Sequence, residues 1–271
     1  MKEVPNGSGI EPKPGLRQSD RLDAIADFVL GTGTARIEDL SEMFGVSSMT
    51  IHRDLDSLDQ RGVLRKTRGV ATAVATSLFE ASPEYRIRQA DSEKRAVAKA
   101  AFDLIEPGQA IMLDDSTTGI HLANMLPQKI PLTVITNFHR IAEILIEHSG
   151  IQTILVGGQY DRASEAFMGA LAIDALKTLR ADIVVMSSPA VTGGVCFHQH
   201  HGAVLIKRAM VDAASKKVLY LDHTKFSMTA LHAATRVSDY DTVIVDDKTP
   251  LEELEQIRQL DVDLIVAQVE A

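Results

Sequence analysis

The sequence predicts an α/β chain in two parts: a small winged helix-turn-helix at the N-terminus, and a larger, mainly parallel α/β domain behind it. Three observations predict this. Before Gly62, apolar residues recur at helical spacing; beyond residue 84, seven short apolar runs alternate with amphipathic stretches. A basic, glycine-punctuated hairpin pattern separates the two rhythms. Finally, Trp is absent and aromatic residues are 4% of the 271, while hydrophobic residues are 45%, so the core must be aliphatic. That suits parallel strands buried on both faces. The expected divisions are a disordered, Pro- and Gly-rich tail over 1–15, the winged helix-turn-helix over 16–71 with its core at 35–54, a linker over 72–83, and the α/β domain over 84–271.

In the N-terminal part, Leu22, Ile25, Ala26 and Val29 place one apolar stripe on a first helix, which Gly31 and Gly33 are expected to break. Ile37, Leu40 and Phe44 mark a short second helix. Gly45 follows in the position of a left-handed C-terminal residue. Ser47 is the expected N-cap of a third helix. That helix turns Ile51, Leu55 and Leu58 inward and stops at Gly62. Residues 63–70 read as two short strands around a basic turn. Further on, the strand-like runs are 110–113, 132–136, 153–156, 182–186, 218–221, 242–245 and 263–267. The amphipathic segments between them include 93–105, 119–126, 138–148 and 203–214. Such alternation implies a parallel sheet with helices on both faces.

The net charge of −9 argues at first against nucleic acid. Its distribution matters more. Residues 60–72 hold Arg61, Arg65, Lys66 and Arg68 and no acid. With Ile51, Leu55 and Leu58 inward, Met49, Arg53, Asp56 and Gln60 point away, flanked by Thr50 and His52. In a helix-turn-helix the first half of the second helix lies in the major groove. Ser47, Ser48, Met49, Thr50, His52 and Arg53 are therefore the expected contacts to double-stranded DNA. Arg53 suits guanine or phosphate. Arg65, Lys66 and Arg68 sit on a wing against the backbone. Asp56, one turn on, is expected to repel phosphate.

The stretch 36–69 resembles the helix-turn-helix of the DeoR family of bacterial sugar-operon regulators. That family shows V-S-x-x-T-I-R-R-D-L followed by a basic, glycine-ended segment. This chain has V-S-S-M-T-I-H-R-D-L and then R-K-T-R-G-V, departing at His52 and Val70.

In the second part, residues 113–119 (L-D-D-S-T-T-G) follow a strand and open a helix, where backbone N–H groups and hydroxyls meet anions. Thr136-Asn137, Gly157-Gly158 and the loop at Lys225 also follow strands. Ligands of open α/β sheets bind outside the carboxyl ends of the strands. The expected small-anion site therefore comprises Asp114, Asp115, Ser116, Thr117, Thr118, Thr136, Asn137, Gly157, Gly158 and Lys225. The DeoR resemblance extends over 84–246, through Glu84-Tyr85-Arg86, Lys94, the 114–118 loop, Thr136-Asn137, Gly157-Gly158, Lys207-Arg208-Ala209-Met210, and Asp222 with Lys225-Phe226. It implies a sensor domain similar in fold to ribose-5-phosphate isomerase and CoA transferases. It also implies that a phosphorylated sugar or related metabolite binds there and weakens repression.

Two other readings compete. Asp114, Asp115 and Lys225 suit proton transfer in an aldose–ketose isomerisation, although a fused DNA-binding head favours sensing over catalysis. Cys196, His198, His200 and His201 form a metal-like cluster, but zinc sites usually draw on two separated pairs. With strand alternation, His198 and His200 would face one way and His201 the other. The expectation is therefore no enzyme, no cofactor and no metal. One cysteine excludes an internal disulfide and suits a reducing cytoplasm. No signal peptide or membrane span is expected. Because one head covers one half-site, a dimer or tetramer is expected.

Overall fold

The computed structural model describes residues 16–60, 62–73 and 83–270. The tail over 1–15, Arg61 and most of the linker over 72–83 lie outside the described residues. The chain divides into two compact units, one up to Tyr85 and one from Arg86.

The first unit runs α1 (Gln18–Thr32), β1 (Thr34–Arg36), α2 (Ile37–Phe44), α3 (Ser48–Gln60), β2 (Leu64–Thr67) and β3 (Val70–Ala73). The predicted stripe of Leu22, Ile25, Ala26 and Val29 is buried, together with Ile37, Leu40, Phe44, Ile51, Leu55 and Leu58. Gly31 does not break the first helix, which continues to Thr32. One interior glycine costs about 1 kcal/mol against alanine, less than the buried stripe around it contributes. Gly45, with φ +63°, ends α2 in the left-handed region and passes its N–H to the Glu42 and Ser41 carbonyls. The hairpin β2–β3 forms as expected, and β1 joins it, giving the antiparallel order β1-β3-β2. Three residues are too short for β1 to show a strand period.

One buried ion pair crosses this unit. Arg21 of α1 donates to both oxygens of Asp54 in α3, at 2.6 and 3.3 Å, and to the Leu16 carbonyl at 3.2 Å. It fixes the angle at which α3 leaves the helical core.

The division between the units falls within α4 (Pro83–Arg88). Then follow α5 (Asp91–Asp103), β4 (Ala110–Leu113), α6 (Thr117–Met125), β5 (Leu132–Thr136), α7 (His139–Leu145) and β6 (Ile151–Leu155). A hairpin, β7 (Gln159–Asp161) with β8 (Ala166–Met168), and α8 (Ala170–Lys177) lead to β9 (Ala181–Met186). After β10 (Ala190–Thr192), β11 (Val195–His198) and α9 (His201–Ala213) come β12 (Ala214–Leu221), β13 (His232–Arg236), β14 (Thr242–Asp246), α10 (Leu251–Arg258) and β15 (Asp263–Ala267).

All seven predicted runs become strands of one sheet, ordered β15-β14-β12-β9-β4-β5-β6. Every pairing in it is parallel. Consecutive residues of β9, β12 and β14 are buried, so both faces are covered. The chain leaves β4 for β5 and β6 on one side, then returns to the other side of β4 at β9. The topological switch point therefore lies between β4 and β9, where open α/β sheets place their ligands.

Two small antiparallel pieces were not expected: β7–β8, and the three-stranded β10-β11-β13. Both consist of strands of three to five residues. Gly158 makes the first possible. Its φ is +149°, and a Cβ there would lie 2.5 Å from the Met168 carbonyl oxygen.

Candidate nucleic-acid interface and anion site

At the start of α3, Ser47 accepts the Thr50 N–H at 3.2 Å, and the two hydroxyls lie 2.9 Å apart. Both therefore serve the helix cap first. Ser48, Met49 and Arg53 are exposed, Met49 to 64%, while Thr50 and His52 are half-buried. The helical-wheel argument is matched in exposure: these residues turn away from the buried Ile51, Leu55 and Leu58. Arg65 and Arg68 are exposed on the wing, with Arg68 at the hairpin turn. Lys66 differs. Its ammonium sits 2.5 Å from Asp56 and 3.1 Å from the His52 carbonyl. This wing lysine and the helix acid, read from sequence as phosphate binder and phosphate repeller, neutralise each other, because the hairpin folds against α3.

In the second unit, Asp114 directly follows β4 and is fully buried. One of its oxygens accepts the Ser116 N–H at 3.2 Å. The other accepts the Ser187 N–H at 3.0 Å and the Lys207 ammonium. The knot joins the ends of β4 and β9 across the switch point. Lys207, from α9, also donates to the Ser187 carbonyl and lies 3.6 Å from Asp115. Burial pushes the Asp114 carboxyl above its ordinary value against the pull of Lys207. Burial acts the same way on Asp115, but Lys207, His198 and Arg86 outweigh it and hold that carboxyl low.

Ser116 caps α6, accepting the Gly119 N–H at 3.1 Å, and lies 3.0 Å from the Tyr220 hydroxyl. Its oxygen thus serves the cap of α6 and shares a hydrogen bond with Tyr220. Thr117 and Thr118 occupy the first turn of α6 and are buried. Thr136 accepts the Phe138 N–H at 3.1 Å, and Asn137 donates from Nδ2 to the Phe167 carbonyl at 3.1 Å. Gly157 has open space at its Cα, whereas Gly158 serves the close approach of β8.

Beyond β12, Asp222 is fully buried and binds the Thr224 N–H at 3.1 Å and the Thr224 hydroxyl, with the Lys225 ammonium at 3.3 Å. Burial would raise its carboxyl, but Lys225, Thr224 and Lys94 hold it low. Lys94 of α5 is buried and donates to the Arg86 carbonyl. Burial first, then Lys225, brings its ammonium down to about 7, against the pull of Asp222. Arg86 acts on both Asp115 and Lys94.

A DeoR-like helix-turn-helix domain matches residues 21–77, and a DeoR C terminal sensor domain matches residues 89–247. The chain belongs to the DeoR family. It is a DNA-binding regulator of transcription, as the sequence resemblance implied. The lactose phosphotransferase system repressor of Staphylococcus aureus is 31% identical over 85% of this chain and 93% of its own length. The L-fucose operon activator of Haemophilus influenzae is 30% identical over 85% and 92%. Among solved structures, ribose 5-phosphate isomerase A of Methanocaldococcus jannaschii matches at 16% identity and a TM-score of 0.37, covering 50% of this chain and 54% of that one. The matched domains and named relatives are those of DeoR regulators, not of enzymes.

Around the candidate loops the structure also brings Lys207, Lys94, Arg86 and His198, which sequence reasoning had not put among the site residues. The first three lie in family-like stretches but carry no periodic signal of their own. Among the described residues, no three His, Cys, Asp or Glu side chains converge as metal ligands. Strand alternation does not apply to the histidine segment, because β11 ends at His198 and α9 begins at His201. Cys196 is buried in β11, and burial pushes its thiol up to about 11. No helix of the described residues is long and apolar enough to cross a membrane.

Proposed function

We propose that this DeoR-family chain represses an operon for carbohydrate use and is released by a phosphorylated sugar or a related metabolite. The names of its relatives support the carbohydrate part. The carboxyl edge of the sheet supports the ligand class. There α6 starts beside the buried Asp114 and Asp115, which Lys207 reaches, while Lys225 pairs with Asp222 after β12. Cations gather at this end of the sheet, and a helix N-terminus favours phosphate. Thr117, Thr118, Asn137, Gly157 and Lys225 line the place for it; Asp114, Ser116, Thr136 and Gly158 shape the loops.

In the head, the first half of α3 enters the major groove, with Ser48, Met49, Thr50, His52 and Arg53 toward the bases and Arg65 and Arg68 toward phosphates. The chain works in the cytoplasm as a dimer or tetramer, since one head covers one half-site. Tyr85 buries its ring in the head core, and the next residue, Arg86, belongs to the anion site. A ligand that moves Arg86 therefore pulls on the chain leading to the head.

The test is operator binding by the full chain, using duplexes selected from a random pool, with and without a panel of sugar phosphates. Release by one of them is expected. If millimolar sugar phosphates leave binding untouched, the ligand assignment fails. Arg53→Ala is expected to weaken operator binding about 10- to 100-fold, from about 1–3 kcal/mol of lost readout, without lowering the melting temperature. Unchanged binding would mean that α3 does not dock as described.

The pH dependence follows from Lys94. An anion beside it favours the ammonium, so binding takes up a proton. Sugar-phosphate affinity should fall by up to about tenfold per pH unit above pH 7. Lys94→Met should flatten that decline, as calorimetry between pH 7 and 9 would show.

A further inference from the structure

Among the described residues, six buried side-chain polar atoms have no hydrogen-bond partner. Two directly follow strands of the parallel sheet, Asn137 Oδ1 after β5 and Asp222 Oδ2 after β12. Asp222 Oδ2 has the Lys225 ammonium at 3.3 Å. Asn137 Oδ1 has nothing, and Asn137 is fully buried. Its amide cannot be turned to hide the oxygen. Nδ2 donates to the Phe167 carbonyl, and a flip would set oxygen against oxygen. The Phe167 N–H also holds the Asn137 carbonyl at 2.8 Å, so the backbone is clamped as well.

The sheet order sets this oxygen in context. β5 lies between β4 and β6. Asn137 therefore stands between the 114–118 loop and the Gly157-Gly158 turn, and a Cβ at Gly157 would meet no atom within 4 Å. The carboxyl end of the sheet thus holds a desolvated acceptor as well as cations. A phosphate dianion has no proton to give that acceptor. A hydroxyl does.

We propose that Asn137 Oδ1 accepts a hydrogen bond from one hydroxyl of the ligand. This rests on the anion site described above and narrows its ligand. Asn137 is then a specificity-determining residue, selecting among phosphorylated compounds by the position of one hydroxyl.

The test titrates full-length wild type and Asn137→Ala with pentose and hexose phosphates and their mono-deoxy analogues, each lacking one hydroxyl, by calorimetry. For the sugar phosphate that binds wild type most tightly, one deoxy position is expected to cost about tenfold or more. That penalty is expected to vanish in Asn137→Ala. Two results overturn the inference: no position costing wild type more than about twofold, or the sensitive position costing the variant just as much. If Asn137→Ala does not fold, the wild-type series decides alone, since one sensitive position supports the proposal and none overturns it. If wild type binds no sugar phosphate at all, the anion-site reading falls first, and this inference with it.

Discussion

Lys207→Met is expected to destabilise the C-terminal unit by about 3–5 kcal/mol, the cost of leaving a buried charge unpaired. Asp114 and Asp115 are both buried, and Lys207 is the ammonium that reaches them. Methionine fills a similar volume, so the loss is electrostatic and not a cavity. The pH dependence separates these causes. With Lys207 gone, the burial that already holds the Asp114 carboxyl above its ordinary value loses its main offset. An acid whose folded pKa is raised loses stability as pH rises through its unfolded pKa. The penalty of the variant should therefore be smaller at pH 4.5 than at pH 7.5 in urea denaturation. A penalty independent of pH would point to packing. In wild type the sign is opposite for Asp115 and Asp222, which are held low and favour the fold until the pH falls below their ordinary value of 3.8.

Asp54→Ala should act on the head with similar size, about 3–5 kcal/mol. It strands the Arg21 guanidinium, which is buried against α3 and, among the described residues, keeps the Leu16 carbonyl. A domain of this size has little stability in reserve. Operator binding should therefore be lost through unfolding of the head, while sugar-phosphate binding by the other unit persists. Limited proteolysis of the variant should cut the first unit and spare the second. If the head resists protease and still fails to bind DNA, Asp54 orients α3 without stabilising it. Arg53→Ala is the contrasting case, because its neighbour in sequence points outward and the fold does not depend on it.

Much of the architecture was legible because burial writes a period into the chain. The seven aliphatic runs became the seven strands, and the inward set of Ile51, Leu55 and Leu58 oriented α3 correctly. What the period does not carry was missed. β1, β7 and β8 are three residues each, too short for alternation to show. Polar partnerships leave no spacing at all: Arg21 with Asp54 spans 33 positions and Lys207 with Asp114 spans 93. Residue chemistry alone also overstated some roles. Ser116 has the hydroxyl a phosphate wants, but the end of β4 needs it as a helix cap. Lys66 has the charge a wing wants, and in the free protein that charge is paired with Asp56.

That last pair has a consequence for the ions around the operator. A protein cation that neutralises a phosphate frees about 0.9 of a counter-ion from B-DNA. Lys66, already matched by Asp56, brings no net charge to the duplex and frees little. In a log–log plot of affinity against salt, each wing should contribute through Arg65 and Arg68. The slope should be shallower than the number of basic residues suggests, and Asp56→Asn, by releasing Lys66, should steepen it.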